Sequence, residues 1–448
     1  MPSTDIHRPA AAAVEFYRRG QAAEAIASLG AALRRDPNHP LLWTNLALLL
    51  FRSGRFAEAE TAARRAVTLA PRDPDALTNL ALVFAAHECF ALAEATIARA
   101  LAAAPDHGPA LAGRGFIAER QAKLEDAGAA YAAAASRAPD YAEAHVNHAF
   151  CLLRAGEFAA GWDEYEWRWR AEAFASSRRL LAMPEWDGAP LDGRAIFVWH
   201  EQGLGDTLQF ARYLPLLVER GARVVAAVQS PLVRLLAASM PMVEVVDSKA
   251  PVATLDVHAP MLSLPRRFGT ALSGVPARAP YLRAASLMTL PDAAAPLKVG
   301  LAWAGAPENP NDRFRSVSLR DLAPILAVPG AAFYSLQLGG RAEDLREVAA
   351  RRPIVDLASR LIDFSDTAAA VAAVDLIVTV DTALAHLAGG LAKPVWTLIP
   401  TPADWRWLAG RDDSPWYPTM RLFRQPRPGD WKTPIADIAG ALAERVGR

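Results

Sequence analysis

The sequence predicts two fold classes in one chain: an all-α repeat array, followed by an α/β region of two halves, each built on a parallel sheet. Three observations predict it. Small residues return every 34 positions through the first third, as Ala13, Ala47, Ala81, Gly115 and Ala149, and as Ala25, Ala59, Ala93, Ala127 and Gly161. From Arg194 onward that period stops, and short apolar runs alternate with amphipathic stretches. The Pro- and Ala-rich segment Ala277–Pro296 interrupts the alternation once and reads as a linker between two halves.

The repeats begin near Ile6, Pro40, Pro74, Gly108 and Ala142. A third small-residue register runs Ala32, Ala66, Ala100 and Ala134, and each of these repeats closes with a proline, at Pro37, Pro71, Pro105 and Pro139. Small side chains at these offsets let two helices approach closely. Proline lacks an N–H and clashes with the preceding turn, so it marks where the second helix must stop. The second repeat shows the full set: Trp43, Leu46, Ala47, Leu50, Ala59, Ala63, Ala66 and Pro71. The fifth departs, with Arg168 where the others carry Ala and no closing proline. It runs into Gly161–Trp169 (GWDEYEWRW), where Trp162, Tyr165, Glu166 and Trp169 share one helical face. That face either docks the array onto the next domain or forms a ligand box. A polar stretch from Ser176 to Leu191 marks the boundary.

The first α/β half reads as strand Ala195–Trp199, helix Asp206–Arg220, strand Arg223–Val228, helix Pro231–Ser239, strand Val243–Val246 and a further strand at Leu255–His258. The second has strands at Lys298–Trp303, Ala332–Leu338, Ile354–Leu357, Leu376–Val380 and Val395–Ile399. Helices at Leu319–Ala327, Ala342–Ala350, Thr367–Val374 and Ala383–Leu391 separate them, and Ile435–Val446 is a terminal amphipathic helix. Two such halves face a ligand cleft at their strand ends.

Composition excludes several functions. Lys+Arg and Asp+Glu both number 48, so no net field attracts nucleic acid or an anionic membrane. The 52% hydrophobic content suits packed cores. Cys89 and Cys151 cannot form a disulfide framework and suit a reducing cytoplasm. The start of the chain, with Asp5, His7, Arg8 and Pro9, shows no signal peptide, and no apolar run reaches membrane-spanning length. A soluble cytoplasmic protein is expected.

Chemistry concentrates at strand ends. His200–Asp206 (HEQGLGD) follows the first strand; Gly203 and Gly205 permit close backbone approach to a phosphate or sugar. Asp206 is either a helix cap or a catalyst, and His200 and Glu201 add two proton-handling groups. In the second half, Asp381 ends a buried strand and Thr382, Ala383 and His386 open a helix whose N–H groups and dipole favour a diphosphate. The alternative is that Asp381 and Thr382 only cap while His386 packs in the core. Gly389 and Gly390 suggest close packing of that helix on the sheet. The strand ending in Trp303-Ala304-Gly305 leads into a loop with Asn309, Asn311, Asp312, Arg313, Arg315 and Ser316, where guanidinium forks suit a pyrophosphate. Gln337 is placed to read a base edge, and Asp366, with Asp363 nearby, reads as a helix N-cap. Asp404–Trp407 and Asp413–Pro418 are dense in aromatics, either stacking platforms for a sugar or base or plugs between packed elements. No CxxC, HExxH, Walker loop or GxSxG appears, and no paired DxD lies between strands, so metal-independent chemistry is expected.

The 34-residue pattern resembles the tetratricopeptide repeat, a helix–turn–helix unit that stacks into a superhelix and binds protein partners. Asn45, Asn79 and Asn147 share one register, broken by Ala11 and Gly113; they either bind a peptide backbone or tie adjacent repeats together. Together with His200–Asp206, GLAWAG at Gly300–Gly305, DRFRS at Asp312–Ser316, VDTALAHLAGGLAKPVW at Val380–Trp396, DSPWYP at Asp413–Pro418 and RLFRQ at Arg421–Gln425, the chain resembles bacterial proteins that fuse these repeats to a heptosyltransferase-like GT-B glycosyltransferase. Some of those resemble enzymes that glycosylate flagellin, and O-GlcNAc transferase is a more distant likeness.

The resemblance implies two Rossmann-like halves facing a cleft, and an inverting transferase that uses a nucleotide-sugar as co-substrate with no resident cofactor. It implies Asp206 as catalytic aspartate, with Asp381, Thr382 and His386 as the donor-binding motif and Arg313 or Arg315 as the basic phosphate ligand. The expected organisation is an array over residues 1–172, a linker at 173–191, an N-terminal half at 192–290 and a donor-binding half at 291–448. The implied partners are a protein acceptor and a nucleotide-sugar. Self-association is left open.

Overall fold

The computed structural model describes residues 12, 13, 15–17, 19–175, 177–252, 254–291, 295–307, 309, 312–348 and 354–447. The chain divides into two units, residues 1–153 with 163–178, and residues 154–162 with 179–448. The start of the first repeat at Ile6, Ala11 of the asparagine register, and Asn311 lie outside the described residues.

The first unit is built from helix pairs: α1 (Ala22–Arg35), α2 (Pro40–Arg52), α3 (Phe56–Leu69), α4 (Pro74–Ala86), α5 (Phe90–Ala103), α6 (Gly108–Arg120) and α7 (Leu124–Arg137). Helices α1, α3, α5 and α7 each end two residues before a closing proline, because the residue before proline is pushed out of the helical region. Proline at the first turn costs nothing there, and Asp73 caps α4 by accepting from the Asp75 and Ala76 amides at 2.8 and 3.1 Å. The repeated alanines are the contact points: Ala47, Ala59, Ala81, Ala93 and Ala127 are fully buried. Gly115 takes the same role for a larger neighbour, since a Cβ there would stand 2.8 Å from the Tyr131 ring.

Where the fifth repeat departs, Arg168 is fully buried. Its guanidinium lies over Tyr165 and Trp169 and bonds the Tyr165 carbonyl and the Glu166 carboxylate at 3.2 and 2.9 Å. A large cation fills an alanine position here because an aromatic sandwich and two acceptors receive it. An open cavity of about 470 Å³ lies between α5, α6 and α7, with Ile97, Leu101 and Ile117 on its wall and Glu94, Arg114 and Lys123 among its polar lining.

In the second unit, β1 (Ala195–Trp199), β2 (Arg223–Val228), β3 (Glu244–Asp247) and β4 (Val257–Pro260) form a parallel sheet in the order β3-β2-β1-β4. A second parallel sheet has the order β10-β9-β8-β5-β6-β7. Its strands are β5 (Leu297–Ala302), β6 (Ala331–Ser335), β7 (Ile354–Asp356), β8 (Leu376–Val380), β9 (Val395–Ile399) and β10 (Met420–Arg424). Strands β1, β8 and β9 are buried at every position, as parallel strands covered on both faces must be. The order reverses at β1/β4 in one sheet and at β5/β8 in the other, and open α/β sheets bind ligands outside the strand ends at such points. The architecture is therefore a tetratricopeptide-type helical array plus a GT-B-like pair of α/β halves.

Several elements differ from the sequence reading. The helix expected over Asp206–Arg220 is broken into α8 (Leu204–Phe210), a 3-10 turn at Ala211–Tyr213 and α9 (Leu214–Glu219), with Pro215 opening the last. The Leu319–Ala327 helix shortens to Ala323–Leu326. Strand β10 shows in the sequence only as a motif, and its arginines explain why. Arg421 lies over the Phe423 ring, while Arg424 donates to the Arg411 and Trp407 carbonyls, so both charges are spent beside the strand. The helix expected at Thr367–Val374 begins at Phe364, and Asp363, not Asp366, is its N-cap. Asp363 accepts from Ser365 and Asp366 amides while Asp366 reaches back to the Asp363 amide at 3.3 Å.

Candidate functional site

Two helix starts meet at the site. Helix α8 follows β1, and α10 (Ala383–Gly390) follows β8. Gly205 lets them touch: a Cβ there would stand 2.9 Å from His386 Cδ2 and 3.4 Å from Ala383 Cα. Gly203 is the N-cap of α8, and its N–H donates to Asp206 Oδ2 at 2.8 Å. The other oxygen, Asp206 Oδ1, accepts from Arg406 Nη2. Arg406 sits on the turn Trp405–Trp407, and its Nη1 donates to Asp404 Oδ1 at 2.8 Å. The carboxylate is therefore a cap and an ion-pair partner at once.

The far side is drier. His386 is 4% exposed, bonds Tyr417 OH through Nδ1 at 2.9 Å and stacks on Trp407 with centroids 5.1 Å apart. Burial first, then the nearby Arg406 charge, push its pKa down to about 3, so the ring is neutral. Asp381 is 8% exposed; burial and then the Asp404 carboxylate push it up to about 6, against Arg315 and Arg406. Thr382, extended and half-buried, is the N-cap of α10, and its Oγ1 lies 3.3 Å from Thr379 Oγ1. The first-turn N–H groups of a helix find no partner within it, which leaves the Thr382–Ala383 backbone suited to an anion.

These two shifts oppose each other in one pH window. As pH falls from 7 to 5, unfolded His386 takes up a proton that the folded ring refuses, which costs about 2 kcal/mol of stability. Over the same range folded Asp381 binds a proton that the unfolded carboxylate leaves off, which contributes about 1 kcal/mol. Asp381→Asn removes the gain and is expected to lose more stability than wild type between pH 7 and 5. His386→Gln removes the loss and is expected to lose less. Urea unfolding at both pH values checks this, and parallel curves for all three proteins would remove the assignment.

Other expected site residues fall elsewhere. Glu201 is buried and accepts from the Leu262 N–H at 2.8 Å, so it braces the turn after β4 and not a substrate. His200 follows β1 in a half-buried position, with its pKa lowered by burial and by Arg179. Gln337 does not read a base edge. Its carboxamide accepts from the Trp303 and Ala304 amides at 3.0 and 2.9 Å and donates to the Ala304 and Leu338 carbonyls, so the backbone consumes it. Trp303 is fully buried and its indole donates to Asp344 Oδ2 at 3.1 Å, which withdraws it from any ligand.

Ser316 closes its own loop, accepting from the Gly305 N–H at 2.9 Å and donating to Asp312 Oδ1 at 2.8 Å. A Cβ at Gly305 would stand 2.4 Å from Asp312 Oδ1 and 2.8 Å from Arg315 Nη2, so a larger residue would displace both side chains. Arg315 turns inward, its Nε 3.5 Å from Asp312, whereas Arg313 is exposed over Phe314. Of the two arginines, Arg315 is the one whose charge reaches Asp381 and His386. The helix that carries Gly389 and Gly390 contacts β8 and β9, and the two glycines also give close approach to Tyr417 and to Leu282 and Tyr281. Trp405, Trp407 and Trp416 are buried plugs and not stacking platforms; Trp162 packs on Trp405, and Phe158 on Trp416. In the repeats, Asn79 is buried and donates to the Thr44 carbonyl at 3.0 Å, so it ties adjacent repeats and is unavailable to a peptide; Asn45 and Asn147 are half-buried.

The sequence reading missed Arg406, seen only as part of an aromatic run, and Arg212. Arg212 is 4% exposed, donates to the Gln209, Pro276 and Trp416 carbonyls at 2.8, 3.1 and 2.7 Å and to Tyr281 OH at 3.2 Å, and lies over Tyr417. It locks the segment after α8 to the loop that carries His386's partner.

Residues 10–74 and 46–108 match the tetratricopeptide repeat. Residues 335–405 match glycosyltransferase family 9 (heptosyltransferase), a stretch that contains Asp381, Thr382, His386 and Asp404. The chain thus carries one stretch that matches tetratricopeptide repeats and another that matches glycosyltransferase family 9, the two parts of the resemblance drawn from its motifs. Protein FlbA of Caulobacter vibrioides is 29% identical over 333 residues, covering 66% of this chain and 54% of that protein, so the chain spans about half the length of this curated relative. Among solved structures, a thermophilic tetratricopeptide repeat protein of Thermus thermophilus is 19% identical over 36% of this chain and 88% of its own, with a TM-score of 0.34. MamA of Desulfovibrio magneticus is 20% identical over 37% of this chain and 94% of its own, with a TM-score of 0.29. Among the described residues, no helix is long and apolar enough to cross a membrane, and no three His, Cys, Asp or Glu side chains are grouped to hold a metal ion.

Proposed function

We propose that the chain is an inverting glycosyltransferase that moves a sugar from a nucleotide-sugar to a Ser or Thr hydroxyl of a protein acceptor. The observation that carries the reading is the helix start Thr382–Ala383, within the family 9 match, set against the helix start that presents Asp206. The donor diphosphate lies at the α10 N-terminus. The acceptor oxygen forms a bond to the anomeric carbon as the carbon–oxygen bond to the diphosphate breaks. The acceptor proton passes to Asp206, and the electron pair leaves with the diphosphate. Arg315, Arg406 and the helix dipole meet the leaving charge, so the reading needs no metal.

The repeats hold the acceptor, for which the groove between α5, α6 and α7 offers apolar wall and charged rim. A flagellin-like subunit, modified in the cytoplasm before export, is the acceptor class that the sequence resemblance suggests. A thermal-shift screen with UDP-, GDP-, ADP- and CMP-linked sugars tests the reading, because a ligand that binds only the native state raises its melting temperature. Stabilisation by one diphosphate sugar, followed by sugar-mass addition to a candidate acceptor, is the expected result. Stabilisation by none of them would overturn it.

A further inference from the structure

Asp206 has both carboxylate oxygens engaged: Oδ2 by the Gly203 N–H and Oδ1 by Arg406. A base must offer one oxygen to a hydroxyl, so one of these partners has to give way. The Gly203 amide is fixed by the start of α8. Arg406 stands at the end of a long side chain on a short turn, and it keeps a second carboxylate, Asp404, as a pivot. The nearby Arg212 is not free to move, because its guanidinium is spent on three carbonyls and a tyrosine hydroxyl. Asp206, Asp381 and Asp404 thus face a small number of guanidinium groups, Arg406 and Arg315 among them. An arriving diphosphate adds further negative charge to this poorly solvated cluster, and Arg406 is the cation that can be re-paired.

We propose that Arg406 is a positioning residue for which Asp206 and the donor's diphosphate compete, so that taking up the diphosphate uncovers Asp206 for the acceptor hydroxyl. This rests on the donor site described under Proposed function. It orders the reaction: donor binding precedes productive acceptor engagement. It also makes an unusual demand, that removing the catalytic carboxylate should tighten the binding of nucleotide. In Asp206→Asn the amide oxygen can keep the Gly203 N–H while the NH2 group turns toward Arg406 and breaks the pair.

Isothermal titration of ADP, GDP and UDP into the full chain at pH 7 tests this with four proteins: wild type, Asp206→Asn, Arg406→Gln and the double variant. The nucleotide that binds wild type is expected to bind Asp206→Asn about fivefold tighter or better and Arg406→Gln about tenfold weaker. The double variant should match Arg406→Gln, because the gain passes through the arginine. Equal or weaker binding by Asp206→Asn overturns the proposal. So does an equal gain in the double variant, which would mean that only like-charge repulsion was relieved. Should Arg406→Gln fail to fold, Arg406→Met supplies the same comparison, keeping the aliphatic stem but losing the cation. No binding of any nucleotide by wild type or by Asp206→Asn is the separate outcome that removes the donor site itself.

Discussion

Asp206→Asn is expected to lower the rate of sugar transfer about a thousandfold, in the range that loss of a general base produces. The substitution is nearly isosteric, and its amide oxygen can still accept from the Gly203 N–H, so the start of α8 should survive. What it loses is the capacity to take a proton from the acceptor hydroxyl. The expected pattern is therefore a collapse of kcat with an unchanged melting temperature and with nucleotide bound more tightly, not lost. Transfer assays under saturating donor, read by mass addition to the acceptor, measure it. If kcat falls less than about threefold, the base lies elsewhere. His200 would then be the group to test, since it directly follows β1 and its pKa is lowered by burial and by Arg179.

Much of this was legible in the sequence, for reasons that differ by region. The array could be read because its contact points are small residues at a fixed period, and a helix pair that must approach closely allows little else at Ala47 or Ala81. Strands β8 and β9 could be read to the residue, because a strand covered on both faces is apolar throughout. The helix starts carrying Asp206 and Asp381 could be located from a strand end followed by glycine or a capping residue. What no local pattern encodes is the partner each polar side chain chooses. Gln337 looks the same whether it binds a base or four backbone groups. The Arg406 side chain pairs with a residue 200 positions away. Arg212 lies in a stretch that reads as an ordinary amphipathic helix, and only tertiary packing turns it inward. The same limit hid β10, whose arginines make a buried strand look like a loop.

Arg212→Met is expected to destabilise the second unit by about 3–5 kcal/mol. Methionine matches the length of the aliphatic stem and can fill much of the space between Tyr281, Trp416 and Tyr417. It cannot donate. The carbonyls of Gln209, Pro276 and Trp416 would lose their donor in a region where water does not replace it, and each such orphan costs about 1–3 kcal/mol, with the costs not fully additive. Arg212→Lys should fall between, because an ammonium keeps the charge but cannot reach three diverging acceptors or lie flat on the rings. Urea unfolding followed by tryptophan fluorescence reads the change directly, as Trp405, Trp407 and Trp416 are all buried in this unit. Tyr417 couples the effect to the site, since its ring underlies Arg212 while its hydroxyl holds His386 Nδ1. Loss of the cation should therefore loosen the start of α10 and weaken nucleotide binding as well as stability. A loss below about 1 kcal/mol would mean that the guanidinium is replaceable packing, and that its hydrogen bonds do not help to hold the two α/β halves together.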